Sequence, residues 1–503
     1  MGLFRKRRAE VVRRGIGDTA VEERKTKRVA GSTVEIRRIR EVEKPPKAKE
    51  RKRRDRSGRS DKRGRPSRLQ PEIVVPPSTE RKQMLVRRTP HQTQIVVLEG
   101  PLLVEHYVAR SDKQSLAGNI YLGRVRNVLP GMEAAFIDFG EAKNGVLYAG
   151  DLQTGEKSQR KQRIEKVLKV GDEILVQVAK DAMGHKGARL TNEINLSGRY
   201  VVLDSNAQKP GISRRLPDHE RDRLRRIAED LRPDGFGVIV RTAAEGASRE
   251  EIGADIDRLM ATWIEVSSSA PNGAAPRLIY EEPPLVIRVI REHFTRDFKR
   301  LLIGEAEIYD MVVDYLKDTD PDLVERVQRY GDELPLFERF HVEDQLRKAL
   351  DRRVWLPSGG HIVIDRTEAL MVIDVNTGRF VGHSNLEETV LQNNLEAAEE
   401  IAHQLRLRDI GGIIVIDFID MEIAKNRDAV LLRLREQLAR GKTRTQVFDV
   451  SNLGLVEMTR KNVSEGLLET FSHVCPECSG RGVMLFEDAA ATGAAIPVTK
   501  SGE

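Results

Sequence analysis

Asp374 closes the apolar run ALMVID and Asp417 closes GGIIVID, and both runs have the length and composition of buried β-strands. Between them, LEETVLQNNLEAAEEIAHQLRLRD repeats its apolar residues at helical spacing. A strand, helix, strand unit makes a right-handed crossover with parallel strands, so both aspartates should leave the sheet at one edge. That edge is where open α/β sheets bind ligands. Two carboxylates brought together raise one another's pKa unless a cation lies between them. Mg2+ suits such a site, being a hard ion that takes carboxylate oxygen and water beside a phosphate. Held there, it can polarise a phosphodiester and supply a hydroxide, and Asn376, on the strand face of Asp374, could orient the water. The chemistry predicted is metal-assisted phosphodiester hydrolysis. A single strand-end aspartate more often caps a turn, so the pair with Asn376 carries the reading; Asp420 and Asp449 are read as structural.

A second metal signature is the single CxxC of HVCPECSGRG, Cys475 and Cys478, with Gly480 and Gly482 allowing a tight turn. Structural zinc wants four ligands, and these are the chain's only two cysteines. Either His473 and another side chain complete the site, or a second copy of the chain supplies its own pair and the metal links a dimer. A redox pair is the competing reading, disfavoured because the motif does not open the helix of a strand-to-helix unit.

The elements that must position these residues come in blocks. Residues 1–80 are rich in Arg, Lys, Glu, Ser and Pro, as in RKRRDRSGRSDKRGRPSR, and read as a disordered basic arm, either a solvated tail or an RNA tether. Folding begins with the alternating strands QMLVRR and TQIVVLEG. Residues 116–196 then give about five short strands with glycine punctuation, which is what a small closed barrel needs. The spaced pieces GRVRNVLPGMEAAFIDFG, GVL and VGDEILVQV resemble the S1 RNA-binding domain, an oligonucleotide-binding barrel. In AAFIDF, alternation sets Phe136 with Asp138 on the side that sees solvent and Ile137 with Phe139 on the other. Phe136 either stacks on a base or joins the core; Lys186 either meets a phosphate or is a solvated loop lysine.

Next, the strand FGVIVRT ends at Arg241 and Thr242, ahead of a helix that Ser248 caps with Glu251 three residues on, a possible anion corner. Residues 270–284 read as a linker. LVIRVIREHFTRDFKRLLIG and a helix ending in VERVQRYG make an α/β piece too short to bury itself, so it should complete a sheet with the strands at 83–100 and make the barrel an insertion.

Together these segments resemble the ribonuclease E/G family, through GNIYLGRVRNVLPGMEAAFIDFG, FGVIVRTA, TEALMVIDVNTGRF, RDIGGIIVIDFIDM, LGLVEMTRK and CPECSGRG, covering nearly everything from Gln83 to Leu485. The fold that the resemblance implies is multidomain α/β with an inserted OB-type barrel. In order it gives an RNase H-like domain (81–115 and 286–349) interrupted by an S1 domain (116–196) and a 5' sensor domain (197–285). A DNase I-like catalytic domain (350–471), a zinc link (472–486) and a disordered tail (487–503) follow. It makes Asp374 and Asp417 the Mg2+ ligands with Asn376 their helper, and Cys475 and Cys478 half of a four-cysteine zinc site shared between two protomers. Gly198, Val202, Arg241, Thr242 and Arg444 match positions around a 5'-monophosphate, and Phe136 and Lys186 match RNA contacts. The implied activity is endonucleolytic hydrolysis of single-stranded RNA, leaving 5'-phosphate and 3'-hydroxyl ends, in RNA decay and in rRNA and tRNA processing. Val146 departs from the family in standing where a second barrel phenylalanine is expected. The small terminal domain that pairs dimers is also missing after the zinc motif, so a homodimer is predicted.

Composition fits a nucleic-acid partner. The 503 residues carry a net charge of +7, with pI near 9.2, and clustered Lys and Arg gain by releasing counterions from phosphates. No apolar run is long enough to span a bilayer and the Arg-rich start lacks a signal peptide's apolar stretch, which predicts a cytoplasmic protein. The rival reading is a non-catalytic S1-domain protein bound to ribosomes or transcripts; a third is a membrane-surface protein held by the arm.

Overall fold

In this computed structural model the residues described are three strands within 12–41, and residues 81–483 apart from 112–114, 153–162, 183–185, 206–209, 271–272, 379–385, 452, 462–465 and 479. The chain divides into two units, Met1–Pro71 and Glu72–Glu503. In the first, Val12–Ile16, Ala20–Val29 and Ser32–Glu41 pair in chain order as an antiparallel sheet. These strands lie within the segment expected from composition to be a disordered arm. Val21, Val29, Val34, Ile36 and Ile39 are strand formers that the heavy charge outweighs in a compositional reading. The rest of the arm and the tail at 487–503 lie outside the described residues.

The second unit begins with an antiparallel meander, Lys82–Arg88, Gln92–Glu99 and Leu102–Arg110. Phe298–Ile303 adds to the free edge of its first strand, and Val327–Arg329 to that strand in turn, both parallel. The sheet is thus completed by chain from beyond the barrel, as expected. Helices Leu285–His293 and Ala306–Thr319 cover one face over Met84, Ile95 and Leu301, while Phe337, Val342 and Leu346 cover Leu85, Val96 and Leu103 on the other. The helix expected to run through VERVQRYG stops at Thr319, because Pro321 follows and Val327–Arg329 is drawn into the sheet.

Inserted in this sheet is a closed barrel of five strands, Ile120–Leu129, Ala134–Asp138, Gly145–Tyr148, Arg189–Thr191 and Glu173–Lys180, the last pairing back with the first. Val125, Ile137, Phe139, Leu147, Val176 and Leu190 fill it. Arg277–Tyr280, expected as part of a linker, pairs outside Ile120–Leu129 because RLIY is itself a strand-forming run. A four-stranded sheet follows, Asn195–Ser197, Val201–Asp204, Gly237–Val240 and Gly211–Ile212, packed against helices Asp218–Leu231 and Arg249–Ser269 through Leu203, Leu224, Val238 and Ile252. Arg199, 1% exposed on its side chain, ties this domain to the first sheet. It donates to the carbonyls of Ile290, Arg291 and Phe294 at 2.9, 3.2 and 2.6 Å and to Asp320 at 3.1 Å.

The last domain is a six-stranded mixed sheet. Its elements are β1 (Arg353–Trp355), β2 (His361–Arg366), β3 (Leu370–Asn376), α1 (Leu386–Leu407), β4 (Gly412–Asp417), α2 (Ala424–Arg440), β5 (Thr445–Val447) and β6 (Val456–Arg460). The spatial order is β1-β2-β3-β4-β6-β5, with β3 and β4 parallel. Strand alternation sends Ile362, Ile364, Ile373, Val375, Ile414, Ile416, Val456 and Met458 into one core with Ala397, Ile401 and Leu405 of α1 and Leu434 of α2. The opposite face keeps Val363, Val372 and Val415 only half-buried and leaves Ile413 exposed. Strands expected to be buried are therefore covered on one face, and the other is open among the described residues. From the far side α1 docks on the meander: Arg406 pairs with Glu99 and Glu105 at 3.0 and 3.1 Å, and His403 bonds the carbonyl of Leu103 at 2.7 Å.

Candidate active site

Parallel register places Asp374 directly opposite Asp417. Both side chains stand on the open face, exposed, at the C-terminal end of the parallel pair. Asn376, two residues on and on the same face, donates from Nδ2 to Asp374 Oδ2 at 2.7 Å. Burial pushes the Asp417 carboxyl above the usual carboxylate range, and the charges of Asp374 and then Asp420 push it further. This is the mutual repulsion that a cation between them would relieve. Asp420, read from sequence as structural, thus acts on the pair through its charge. Asp449 is exposed and ion-paired with Arg435 at 3.3 Å.

Two buried asparagines of α1 hold the strand ends that carry these groups. Asn394 Nδ2 donates to the carbonyl of Ile419 at 2.8 Å and its Oδ1 accepts the amide of Ile419 at 3.2 Å. Asn393 Nδ2 reaches the carbonyl of Asn376 at 3.5 Å. Neither was singled out from sequence. The signal available was two adjacent poor helix formers inside an amphipathic helix, a placement that asks for a backbone partner.

Cross-strand pairing extends the open face in two rows. One runs Arg353, Val363, Asp374, Asp417 and the other Trp355, His361, Asn376. Burial and then the neighbouring Arg353 lower the His361 pKa, against the pull of Asp374, so the ring is neutral at neutral pH. Gly378, at φ +58°, closes the turn beside it: an added Cβ would lie 2.7 Å from the carbonyl of Gly359 and 3.3 Å from His361 Nδ1. Trp355 and His361 also escaped the sequence reading, although pairing RRVW with HIVID as a hairpin would have aligned them.

The donor set on this face is carboxylate and amide oxygen, which fits a hard divalent ion. No group of three or more His, Cys, Asp or Glu side chains with metal-binding geometry occurs among the described residues. A cation here would complete its shell with water or substrate oxygen.

The remaining predicted residues fall at four places. Gly198 and Arg241 meet where Arg241 Nη1 donates to the Gly198 carbonyl at 3.1 Å, and Thr242 follows, its Oγ1 2.8 Å from Ser213 Oγ. Gly198 admits no side chain because a Cβ would come 2.4 Å from Asp255 Oδ2. Val202 is on the adjoining strand. Arg444 precedes β5, its carbonyl accepting from Lys461 at 3.0 Å, and is not drawn into that corner by any hydrogen bond recorded among the described residues. The helix beyond is closed by a Ser248–Glu251 capping box, and a 3-10 turn separates it from Arg241. A guanidinium and a hydroxyl, not helix amides, are what the corner offers an anion. Arg241 is paired with Glu292 at 2.9 Å.

On the barrel, Ile137 and Phe139 are buried while Phe136 and Asp138 are half-buried, the partition that alternation predicts. Val146 faces Phe136 across the ladder, and Lys186 is exposed. At the cysteines, Cys478 Sγ accepts the amide of Gly482 at 3.3 Å. Amides of Gly482 and Gly480 lower the thiol pKa, favouring the thiolate that metals bind. Gly480 and Gly482 adopt φ of +82° and +77°, as a tight knuckle requires.

Residues 195–463 match the model of the Ribonuclease E/G family. The chain is 38% identical over 411 residues to Ribonuclease G of Escherichia coli (strain K12), spanning 80% of this chain and 84% of that protein. Ribonuclease G of Haemophilus influenzae is 39% identical over 409 residues, 83% of its length. Ribonuclease E of Haemophilus influenzae is also 39% identical over 409 residues, which are 44% of that longer protein.

Proposed function

The chain belongs to the ribonuclease E/G family, and on that premise we propose that it is an endoribonuclease of RNA processing and decay that hydrolyses single-stranded RNA to 5'-phosphate and 3'-hydroxyl ends. The observation that carries the reading is the register pairing of Asp374 with Asp417 on an open sheet face. Asp374 and Asp417 would hold the cation, for which Mg2+ is the natural choice. When bound, it supplies a positive charge against the phosphate and a lowered pKa for water. Asn376 fixes the rotamer of Asp374 by donating to Oδ2, leaving Oδ1 to face the cation. Asp420 adds a third negative charge that strengthens the demand for a cation.

The other modules serve substrate. The five-stranded barrel supports assignment as an S1 domain that takes RNA over Phe136 and Lys186. Val146 stands opposite Phe136, so no second ring pairs with Phe136 directly across the ladder. Arg241, Thr242, Gly198 and Val202, with Arg444, form the proposed 5'-monophosphate sensor. The meander with two parallel additions supports the RNase H-like assignment, and the open mixed sheet the DNase I-like one. Cys475 and Cys478, two sulfurs on one knuckle, are proposed as half of a zinc site completed by a second copy of the chain, making a homodimer. Among the described residues no helix is long and apolar enough to cross a membrane, which is compatible with the proposed cytoplasmic site of action.

Incubating the protein with a 5'-monophosphorylated single-stranded oligonucleotide tests the proposal. Cleavage should require Mg2+ and vanish in Asp374→Asn and Asp417→Asn while binding survives. Binding without cleavage by the unaltered protein would leave only the RNA-binding reading.

A further inference from the structure

The open face of the catalytic sheet carries an aromatic ring that the cleavage chemistry does not use. Trp355 is 61% exposed at the end of the edge strand β1. Its partner across the ladder is His361, whose partner in turn is Asn376, so the three side chains project from one face in one row. The row beside it holds Arg353 and Asp374. Trp355 is therefore two strand spacings from Asn376, about 10 Å, which is within reach of a nucleotide next to one held at Asp374.

The ring is held in place and accompanied by charge. The His361 ring centroid is 5.3 Å from that of Trp355, tilted by 52°. The Arg353 guanidinium carbon lies 5.7 Å from the indole centroid. An exposed indole with a cation beside it suits a ligand that presents an apolar face and an anionic backbone together. A nucleobase with its phosphate is such a ligand, since every base has a π-face and stacks without regard to sequence.

We propose that Trp355 is a base-stacking platform for RNA, receiving a nucleotide adjacent to the scissile phosphate, with Arg353 facing that nucleotide's phosphate. The platform rests on the nuclease reading for its register along the strand. It is additional to the barrel ring, and it gives the catalytic domain its own hold on single-stranded RNA.

An abasic scan tests this. Binding of single-stranded oligonucleotides, each lacking one base near the cleavage position, is measured without added Mg2+ for the full chain and for Trp355→Ala and Trp355→Phe. Trp355→Ala should weaken binding to the intact strand about tenfold, toward the low end of what a base–aromatic stack contributes, and Trp355→Phe should restore most of it. At one abasic position, and there alone, Trp355→Ala should match the unaltered protein, the signature of direct coupling. Native mass is recorded alongside. Equal loss at every position, or a change from dimer to monomer with unaltered RNA affinity, overturns the proposal, the second outcome making Trp355 a contact between protomers. Because binding is read without cleavage, absence of nuclease activity would overturn the functional reading separately.

Discussion

Asn394 clamps Ile419 by both halves of its amide, accepting the Ile419 N–H and donating to the Ile419 carbonyl. Ile419 lies two residues beyond Asp417, so a fully buried helix residue sets the path of the chain that leaves the carboxylate pair. Asn394→Ala strands two backbone groups. It is expected to cost about 1–3 kcal/mol of stability and to lower kcat about tenfold, with KM nearly unchanged. Steady-state kinetics and a thermal melt, run on the same preparation, check both numbers. An unchanged kcat would mean that the loop keeps its course without the clamp.

Glu292 occupies the guanidinium that the proposed sensor would offer to a phosphate. Its carboxyl is pushed up by burial but held below the usual range, chiefly by Arg241, so it is ionised at neutral pH and competes with an anionic ligand. Glu292→Gln should tighten binding of a 5'-monophosphorylated oligonucleotide several-fold relative to its 5'-hydroxyl form, measured by competition. Arg241→Gln should abolish the difference between the two forms.

Arg199 is a buried cation with three carbonyls and one carboxylate around it. Removing one partner of a buried pair leaves the other charge stranded, at about 3–5 kcal/mol. Arg199→Met should lower the melting temperature by several degrees, and adding Asp320→Asn should recover part of the loss. Equal melting of the single and double variants would contradict the pairing.

His106 is held neutral, its pKa lowered to about 4 by burial and then by Arg87. The unfolded chain takes up this proton near pH 6.5, before the folded chain does. The contribution is therefore complete above pH 6.5 and is lost as pH falls toward 4. The ring retains some solvent contact, so the loss is on the order of 2 kcal/mol. Denaturant midpoints between pH 7 and 4.5 should fall less steeply in His106→Gln than in the unaltered chain.

What could be read from sequence was whatever alternation and crossover rules determine. The parallel placement of β3 and β4 followed from the apolar runs and the helix between them, and with it the meeting of Asp374 and Asp417. The inside and outside of AAFIDF followed from period two, and the Ser248 cap from Ser and Glu three apart. What escaped needed partners distant in the chain. Trp355 joins the catalytic face only through the ladder with His361, and Asn394 has meaning only once Ile419 is beside it. The strands at 12–41 were hidden by charge, which measures solubility better than pairing. Coverage of the catalytic sheet on one face alone was hidden because half-buried valines read like buried ones.

If Asp374 and Asp417 share one divalent cation, Mn2+ binding read by electron paramagnetic resonance will show it without relying on cleavage. The unaltered protein should show a Mn2+ site that Mg2+ displaces and that either Asp374→Asn or Asp417→Asn removes, with the fold intact by circular dichroism. Unchanged Mn2+ binding in both variants would contradict it.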